Sequence, residues 1–193
     1  MKVSNISPLT PVQRTIKWAI LFFVAGVVWT FLSRMPVEQV AQAGPPPNPK
    51  EGFTAPDFTL DLLEGGEITL SELQGNPVVL NLWATWCSPC REEMPAIENV
   101  YRRYKELGLT VIGLNLTSQD SEQAVYEFVQ ELGLTFPIAL DRDGSAANRY
   151  QLMGLPTTFF IDSQGVIQSV VVGGPMSEAL IQSKVEMLFE EKE

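Results

Sequence analysis

The sequence predicts an α/β domain with a mixed central sheet, helices on both faces and an added N-terminal β-hairpin. Three observations lead to this prediction: β-rich runs alternate with helical periods, a final pair of runs flanks a tight turn, and a helical period closes the chain. The predicted domain covers residues 53–193. It follows an apolar segment within residues 1–35 and a proline-rich linker at residues 36–52.

The predicted hairpin comes first. Its strands are Phe58–Leu60 and Glu67–Leu70, with Gly65-Gly66 supplying the turn. Two dense apolar runs rich in β-branched residues then predict buried central strands, Val78–Ala84 and Leu109–Leu116.

Helices are predicted where apolar residues recur every three or four positions. They cover Ser88–Leu107, Ser121–Leu132, Ser145–Leu152 and Ser177–Phe189. The remaining strands are Pro137–Leu140, Thr157–Ile161 and Val166–Val172, the last two flanking a turn at residues 162–165. Strand-helix-strand units followed by a hairpin and a helix give the mixed sheet.

Composition removes several classes of function. Residues 1–52 carry five bases and two acids, a net +3, whereas residues 53–193 carry eight bases and twenty-one acids, a net −13. So acidic a domain does not favour nucleic-acid binding, which needs basic clusters. The chain has no histidine, which excludes histidine-based triads and ligands, and two cysteines cannot alone complete a zinc site. We predict no metal and no cofactor.

The N-terminal segment contains a run of sixteen uncharged residues, Trp18–Ser33. As a helix this run reaches about 24 Å, and flanking residues extend it to about 30 Å, the thickness of the hydrocarbon core. Basic residues precede the run, and Arg34 and then Glu38 follow it. This bias predicts a single-pass anchor in the cell membrane, with a cytoplasmic N-terminus and the domain outside.

Two alternatives to the anchor stay open. A cleaved signal peptide is one, because Ala41-Gln42-Ala43 has the small-x-small form of a cleavage site, and a buried soluble helix is the other. The linker around Pro45–Pro49 favours extended chain, so we interpret it as a spacer, with a ligand for a proline-binding module as the alternative.

One motif dominates the domain, Trp86-Cys87-Ser88-Pro89-Cys90, which follows a strand and opens a helix. Residues three apart share a helix face, so Cys87 and Cys90 can close a disulfide. Pro89 fits the first helical turn, and the positive end of the helix favours a thiolate at Cys87. We therefore predict a redox pair, with Cys87 attacking and Cys90 resolving. Half a zinc site, a structural bridge or chance would also give a lone CxxC.

Residues Val78–Pro95 and Gly154–Asp162 resemble the thioredoxin superfamily. More narrowly, they are similar to the membrane-anchored extracytoplasmic thiol-disulfide oxidoreductases of cytochrome c maturation, the TlpA/ResA-like type. The segments Ala55–Leu60 and Leu70–Gly75 also match that family, which shares them with the peroxiredoxins. The resemblance covers essentially all of residues 53–193 and implies a thioredoxin fold.

Further site residues come from the resemblance. It implies that Pro156 is a cis-proline facing the cysteine pair and that the backbone beside it, at Leu155, pairs with an extended substrate segment. It also implies that Trp86 shields the disulfide. Gly173-Gly174, which follows the predicted strand Val166–Val172, has two interpretations: it brings backbone close to the site, or it ends the strand in a turn.

The resemblance also implies a group that accepts the proton of Cys90. Cytoplasmic thioredoxins place an acid six residues before the first cysteine, but Asn81 stands there and cannot titrate. Glu93, one turn after Cys90, matches a glutamate typical of the cytochrome-maturation branch. Buried beside the pair it would accept the Cys90 proton. On the surface it would be an ordinary solvated acid.

The predicted function is the reduction of disulfides in extracytoplasmic proteins by exchange at Cys87 and Cys90. The resemblance implies apocytochrome c as substrate and a membrane thiol electron donor as the second partner. Three alternatives stay open: a thiol peroxidase, net disulfide formation, and a non-catalytic tethered module. Ala84 counts against the peroxidase, because a peroxiredoxin usually has threonine or serine at that position. Net disulfide formation usually needs a helical insertion, and none is seen. The intact motif around Cys87 counts against a non-catalytic module.

Overall fold

The structure is a computed structural model that describes residues 11–32 and 46–190. The described residues belong to two compact units, one within residues 1–43 and one within residues 44–193. The first unit contributes helix α1 (Pro11–Leu32), which overlaps most of the predicted apolar span. Its described side chains, at positions 18 and 20–30, are exposed.

The membrane anchor stays a prediction. Within the described part of the chain, no helix combines the length and apolar character needed to cross a membrane. The proposed cleavage site at residues 41–43 and most of the proline-rich linker lie outside the described residues.

The second unit is built on a five-stranded sheet and a two-stranded hairpin. The hairpin consists of β1 (Thr59–Asp61) and β2 (Glu67–Thr69). The sheet strands are β3 (Val78–Trp83), β4 (Thr110–Asn115), β5 (Ile138–Leu140), β6 (Thr157–Ile161) and β7 (Ile167–Val172). The helices are α2 (Ser88–Tyr104), α3 (Glu122–Leu132), α4 (Ser145–Arg149) and α5 (Glu178–Glu190).

The sheet is mixed, as predicted. Its order is β5-β4-β3-β6-β7, with β3, β4 and β5 parallel to one another and β6 antiparallel to both of its neighbours. All six residues of β3 are buried, because this central strand has a packed layer on each face. Asn81 in β3 lies opposite Gly113 on one side and Thr158 on the other.

Helices cover both faces of the sheet. One core joins Val79 and Trp83 of β3 to α2, α3 and α5, and the other joins Leu80 and Leu82 to the hairpin and α4. Because side chains alternate along a strand, Asn81 points to the same face as Val79 and Trp83, where the site helix α2 packs.

Element boundaries differ only slightly from the predicted ones. The site helix was predicted to reach Leu107, but α2 ends at Tyr104 and a short 3₁₀ turn follows. Residues 47–52, which the sequence places in the linker, lie against the domain: the Asn48 N–H donates to Thr54 O at 3.0 Å and the Gly52 N–H donates to Ile167 O at 2.8 Å.

Candidate active site

The two cysteines form a disulfide at the first turn of α2. Cys87 is the N-cap residue, its Cα lies 5.3 Å from that of Cys90, and its Sγ accepts the Cys90 backbone N–H at 3.2 Å. Cys87 is 5% exposed and lines an open groove, whereas Cys90 is 0% exposed. Only Cys87 can therefore meet a sulfur that arrives from solvent, which agrees with the predicted order of attack.

The local sequence explains this geometry. Strand β3 is a buried run that ends at Trp83, and a short turn then delivers Cys87 to the start of α2. Pro89 lies in the first helical turn, where its missing N–H removes no hydrogen bond. The free N–H groups at this end of the helix would stabilise a Cys87 thiolate once the disulfide is reduced.

An apolar groove of about 480 Å³ runs beside Cys87. Trp86 and Leu155, two of the predicted substrate-binding residues, line it together with Pro89. Sequence analysis missed the other lining residues, which are Leu116, Gln119, Leu152, Met153 and Gly154. Residues 152–154 directly precede Leu155 in the chain, and this proximity is the sequence feature that could have identified them as groove residues. The Trp86 and Met153 side chains are 59% and 92% exposed, leaving apolar surface for a ligand.

The Leu155–Pro156 peptide bond is cis. Pro156 is buried behind the groove, and its carbonyl accepts the Gly173 N–H at 2.8 Å. Across residues 46–190 no hydrogen bond engages the backbone of Leu155. Its N–H and C=O are therefore free to pair with an added strand, as the resemblance implies.

Glu93 is completely buried beneath the site. Its Oε1 accepts the Asn81 side-chain N–H at 2.8 Å, and its Oε2 accepts the Met176 backbone N–H at 3.0 Å. Asn81 Nδ2 also donates to Thr158 Oγ1 at 2.8 Å, which ties this network to β6. The solvated-surface alternative for Glu93 is therefore wrong, while its part in catalysis stays a prediction.

Burial raises the pKa of Glu93 above its ordinary value of 4.5, because a charged carboxylate loses its hydration there. The two hydrogen bonds from Met176 and Asn81 act in the opposite direction and offset only part of the effect. A buried carboxyl group whose pKa is raised takes up a proton more readily than a solvated one, which suits it to accept and return a proton.

Gly174 links the buried acid to the cis-proline. A Cβ placed on Gly174 would lie 2.6 Å from Glu93 Oε2 and 2.7 Å from Pro156 Cγ, so only glycine fits between them. Gly173 has a positive φ of 85° and forms the turn. Gly173 therefore matches the interpretation as a turn, and Gly174 matches the interpretation as a close approach of backbone to the site.

A second acid at the site was not predicted. The Asp120 carboxylate accepts the Thr85 backbone N–H at 2.7 Å and the Thr85 hydroxyl at 2.6 Å, just before Trp86. The Trp86 indole N–H donates to Gln119 O at 3.0 Å. These contacts join residues more than thirty positions apart, and the spacing of residues in the sequence gives no signal for them.

Comparison with known sequences identifies the family to which the chain belongs. The profile of the AhpC/TSA family matches residues 52–170. The thioredoxin-like protein YneN of Bacillus subtilis is 42% identical over 139 residues, covering 72% of this chain and 80% of that protein. The thiol-disulfide oxidoreductase ResA of Geobacillus kaustophilus is 37% identical over 154 residues, covering 80% and 83%.

Solved structures agree with these relatives. StoA from Bacillus subtilis superposes with a TM-score of 0.60 at 28% identity, covering 67% of this chain and 96% of that one. A thiol:disulfide interchange protein of the thioredoxin family from Chlorobium tepidum gives 0.64 at 28% identity, covering 76% and 99%. The thioredoxin fold is therefore confirmed.

Proposed function

Because the chain belongs to the AhpC/TSA family and is a thioredoxin-fold thiol-disulfide oxidoreductase, we propose that it reduces disulfides in proteins outside the cytoplasm. The observation that carries this proposal is the placement of the two sulfurs: Cys87 opens onto an apolar groove and Cys90 is sealed beneath it. An attacking sulfur that lines an open groove, beside a resolving sulfur sealed from solvent, is the arrangement that dithiol exchange requires.

The reaction balances over two exchange steps. The Cys87 thiolate of the reduced enzyme attacks one sulfur of the substrate disulfide and forms a mixed disulfide, releasing the other substrate sulfur as a thiolate. The Cys90 thiolate then attacks Cys87 Sγ, which releases the second substrate sulfur and leaves the Cys87–Cys90 disulfide. The substrate gains two electrons, and the enzyme pair loses them.

Glu93 is the proton acceptor in this proposal. Cys90 must lose its proton before it attacks, yet it is fully buried and no acid stands at position 81. The buried Glu93 lies one helical turn further along α2, the spacing at which side chains share a helix face. Its raised pKa suits a group that takes this proton and later returns it.

The groove is the proposed substrate site. An extended segment would pair with the free backbone of Leu155, with its apolar side chains against Trp86 and Met153 and its disulfide at Cys87. The resemblance implies apocytochrome c, whose haem-attachment cysteines must be reduced. It also implies a membrane dithiol donor that re-reduces the enzyme.

We place the enzyme on the outer face of the cell membrane, held by the uncharged run Trp18–Ser33. Support comes from the exposed apolar side chains of α1 and from the excess of basic residues before the run. An impermeant thiol reagent applied to intact, reduced cells should label Cys87. Labelling that appears only after lysis would contradict this placement.

A thiol peroxidase is the competing candidate, because the opening segments of the domain match peroxiredoxins too. The structure gives it little support: Ala84 has no hydroxyl, and the neighbouring Thr85 hydroxyl already donates to Asp120. Consumption of hydrogen peroxide by the reduced chain at a rate above that of insulin reduction would favour the peroxidase.

The decisive experiment traps the intermediate. The reduced full chain in detergent is mixed with oxidised insulin or with apocytochrome c carrying its disulfide. Cys90→Ser should accumulate a mixed disulfide with the substrate, because the resolving sulfur is absent, whereas Cys87→Ser should trap nothing. A trap formed by Cys87→Ser instead would reverse the assigned roles, and an inactive wild-type chain would reject the function.

A further inference from the structure

The loop that carries Trp86 is held by one carboxylate from another part of the chain. Asp120 follows the short 3₁₀ turn Thr117–Gln119, which leaves the end of β4. Its Oδ1 accepts the Thr85 hydroxyl at 2.6 Å and the Ser121 N–H at 2.9 Å. Its Oδ2 accepts the Thr85 N–H at 2.7 Å and the Asn115 side-chain N–H at 3.0 Å.

The carboxylate is itself fixed to the rigid part of the fold. Asn115 is the last residue of β4 and is 0% exposed, so its amide anchors Asp120 to the central sheet. No lysine or arginine of the described residues forms a salt bridge with Asp120. Asp120 therefore acts by accepting hydrogen bonds, and two of its four donors belong to one residue of the site loop.

A second hydrogen bond joins the residue after Thr85 to the residue before Asp120. The Trp86 indole N–H donates to Gln119 O at 3.0 Å, although the ring itself is 59% exposed. Trp86 and Gln119 both line the groove beside Cys87. An exposed tryptophan would otherwise sample several rotamers, and ordering it only on binding would cost affinity.

We propose that Asp120 is a positioning residue for substrate binding: by holding Thr85 it fixes the Trp86 ring as the wall of the groove. This inference rests on the proposed role of that groove as the substrate site. It assigns Asp120 to recognition of the polypeptide around the disulfide and leaves the sulfur chemistry to Cys87, Cys90 and Glu93.

A purely structural role must be separated from this one, because Asp120 also accepts the N–H of Ser121, the N-cap of α3. Thr85→Val makes that separation. It removes the hydroxyl donor while keeping the shape of the side chain and every contact between Asp120 and α3. Thr85→Ser should restore the wild-type behaviour.

The chain offers a closely matched control. Asp57 accepts both the backbone N–H and the hydroxyl of Ser71, at 2.9 and 2.7 Å, and it does not line the groove. Asp57→Ala and Ser71→Ala therefore remove the same kind of contact at a distance from substrate.

The test compares a protein disulfide, oxidised insulin, with a small aromatic disulfide, dithiobis-nitrobenzoate, using the full chain in detergent. Dithiothreitol supplies the electrons for turnover on insulin, and the small disulfide is followed in a single turnover of the pre-reduced chain. Thr85→Val should raise the KM for insulin about fivefold, the size expected for one net hydrogen bond, and Asp120→Ala should raise it at least as much, because Asp120→Ala removes the acceptor of both Thr85 hydrogen bonds. The kcat for insulin and the rate with the small disulfide should stay unchanged. The Trp86 indole N–H resonance, identified by its loss in Trp86→Phe, should shift in both variants.

The control variants at Asp57 and Ser71 should change none of these quantities. An unchanged KM for insulin in Thr85→Val, or equal losses with both disulfides, would overturn the inference. A wild-type chain that reduces the small disulfide but no protein disulfide would instead reject the proposed function. In that case the indole resonance still decides whether Asp120 positions Trp86.

Discussion

The site has two carboxylates in opposite environments. Glu93, one helical turn after Cys90, is fully buried and accepts two N–H hydrogen bonds. Asp120, next to the groove-lining Gln119, is partly exposed and accepts four hydrogen bonds. Burial raises the pKa of Glu93 despite its donors. Burial also tends to raise the pKa of Asp120, but the hydrogen bonds outweigh it and the net pKa is lowered.

This difference indicates how the site divides its work. A carboxylate that accepts several hydrogen bonds keeps its negative charge, and this suits it to hold a loop in place. A carboxylate that lacks enough donors for its burial is poised to take up a proton, which suits it to acid-base chemistry. Under the proposed function, Glu93 in the interior of the site handles the proton, and Asp120 fixes the shape of the groove.

The largest expected effect comes from the interior acid. Glu93→Gln should slow the exchange step that deprotonates Cys90 by about 100-fold, the usual contribution of a general base. It also removes a negative charge near the sulfurs, so the cysteine thiolates should form at lower pH. The measurements are the insulin reduction rate and the thiolate absorbance against pH.

Glu92→Gln is the control for the interior acid, because Glu92 is the neighbouring acid on α2 and is exposed. It should leave both the rate and the thiol titration near their wild-type values. If Glu93→Gln behaves in the same way as Glu92→Gln, Glu93 has no part in proton transfer and the division of work between the two carboxylates fails.

The next effect comes from the contact that joins the interior to the groove. Gly174→Ala places a methyl group 2.6 Å from Glu93 Oε2 and 2.7 Å from Pro156 Cγ. Such overpacking should lower the free energy of unfolding by about 1–3 kcal/mol. It should also slow insulin reduction, because it displaces the acid or the cis-proline.

Gly154→Ala is the matched control for this change. Gly154 lines the groove, yet a Cβ there would meet nothing within 4 Å. Chemical denaturation of the oxidised chains gives both free energies. Equal stability of the two variants would show that the packing around Gly174 tolerates a methyl group and that the interior and the groove are not joined there.

The two regions also differ in how far the sequence predicts them. Strand β3, helix α2 and the Cys87–Cys90 pair follow from periodicity and spacing, because the contacts that define them are local. Asp120 meets Thr85 over 35 positions and Glu93 meets the Met176 N–H over 83, so neither partnership leaves a pattern in the sequence. The resemblance identified Glu93 and Pro156, but only the structure shows Gly174 between them.

The smallest expected effect is on the pH dependence of stability, where the two carboxylates should act with opposite signs. A raised pKa in the folded state means that Glu93 contributes stability below its ordinary pKa of 4.5, and that this is lost as pH rises through the folded-state pKa. Relative to Glu93→Gln, the oxidised wild type should therefore lose stability as pH rises.

Asp120 should give the reverse dependence. Its lowered pKa contributes stability above the ordinary value of 3.8, and that contribution disappears as pH falls through the folded-state pKa. The advantage of the wild type over Asp120→Asn should thus be present at neutral pH and vanish in acid. Denaturant unfolding of the three oxidised chains between acid and neutral pH measures both differences. Two differences that run in the same direction would mean that burial, and not the number of donors, sets both pKa values.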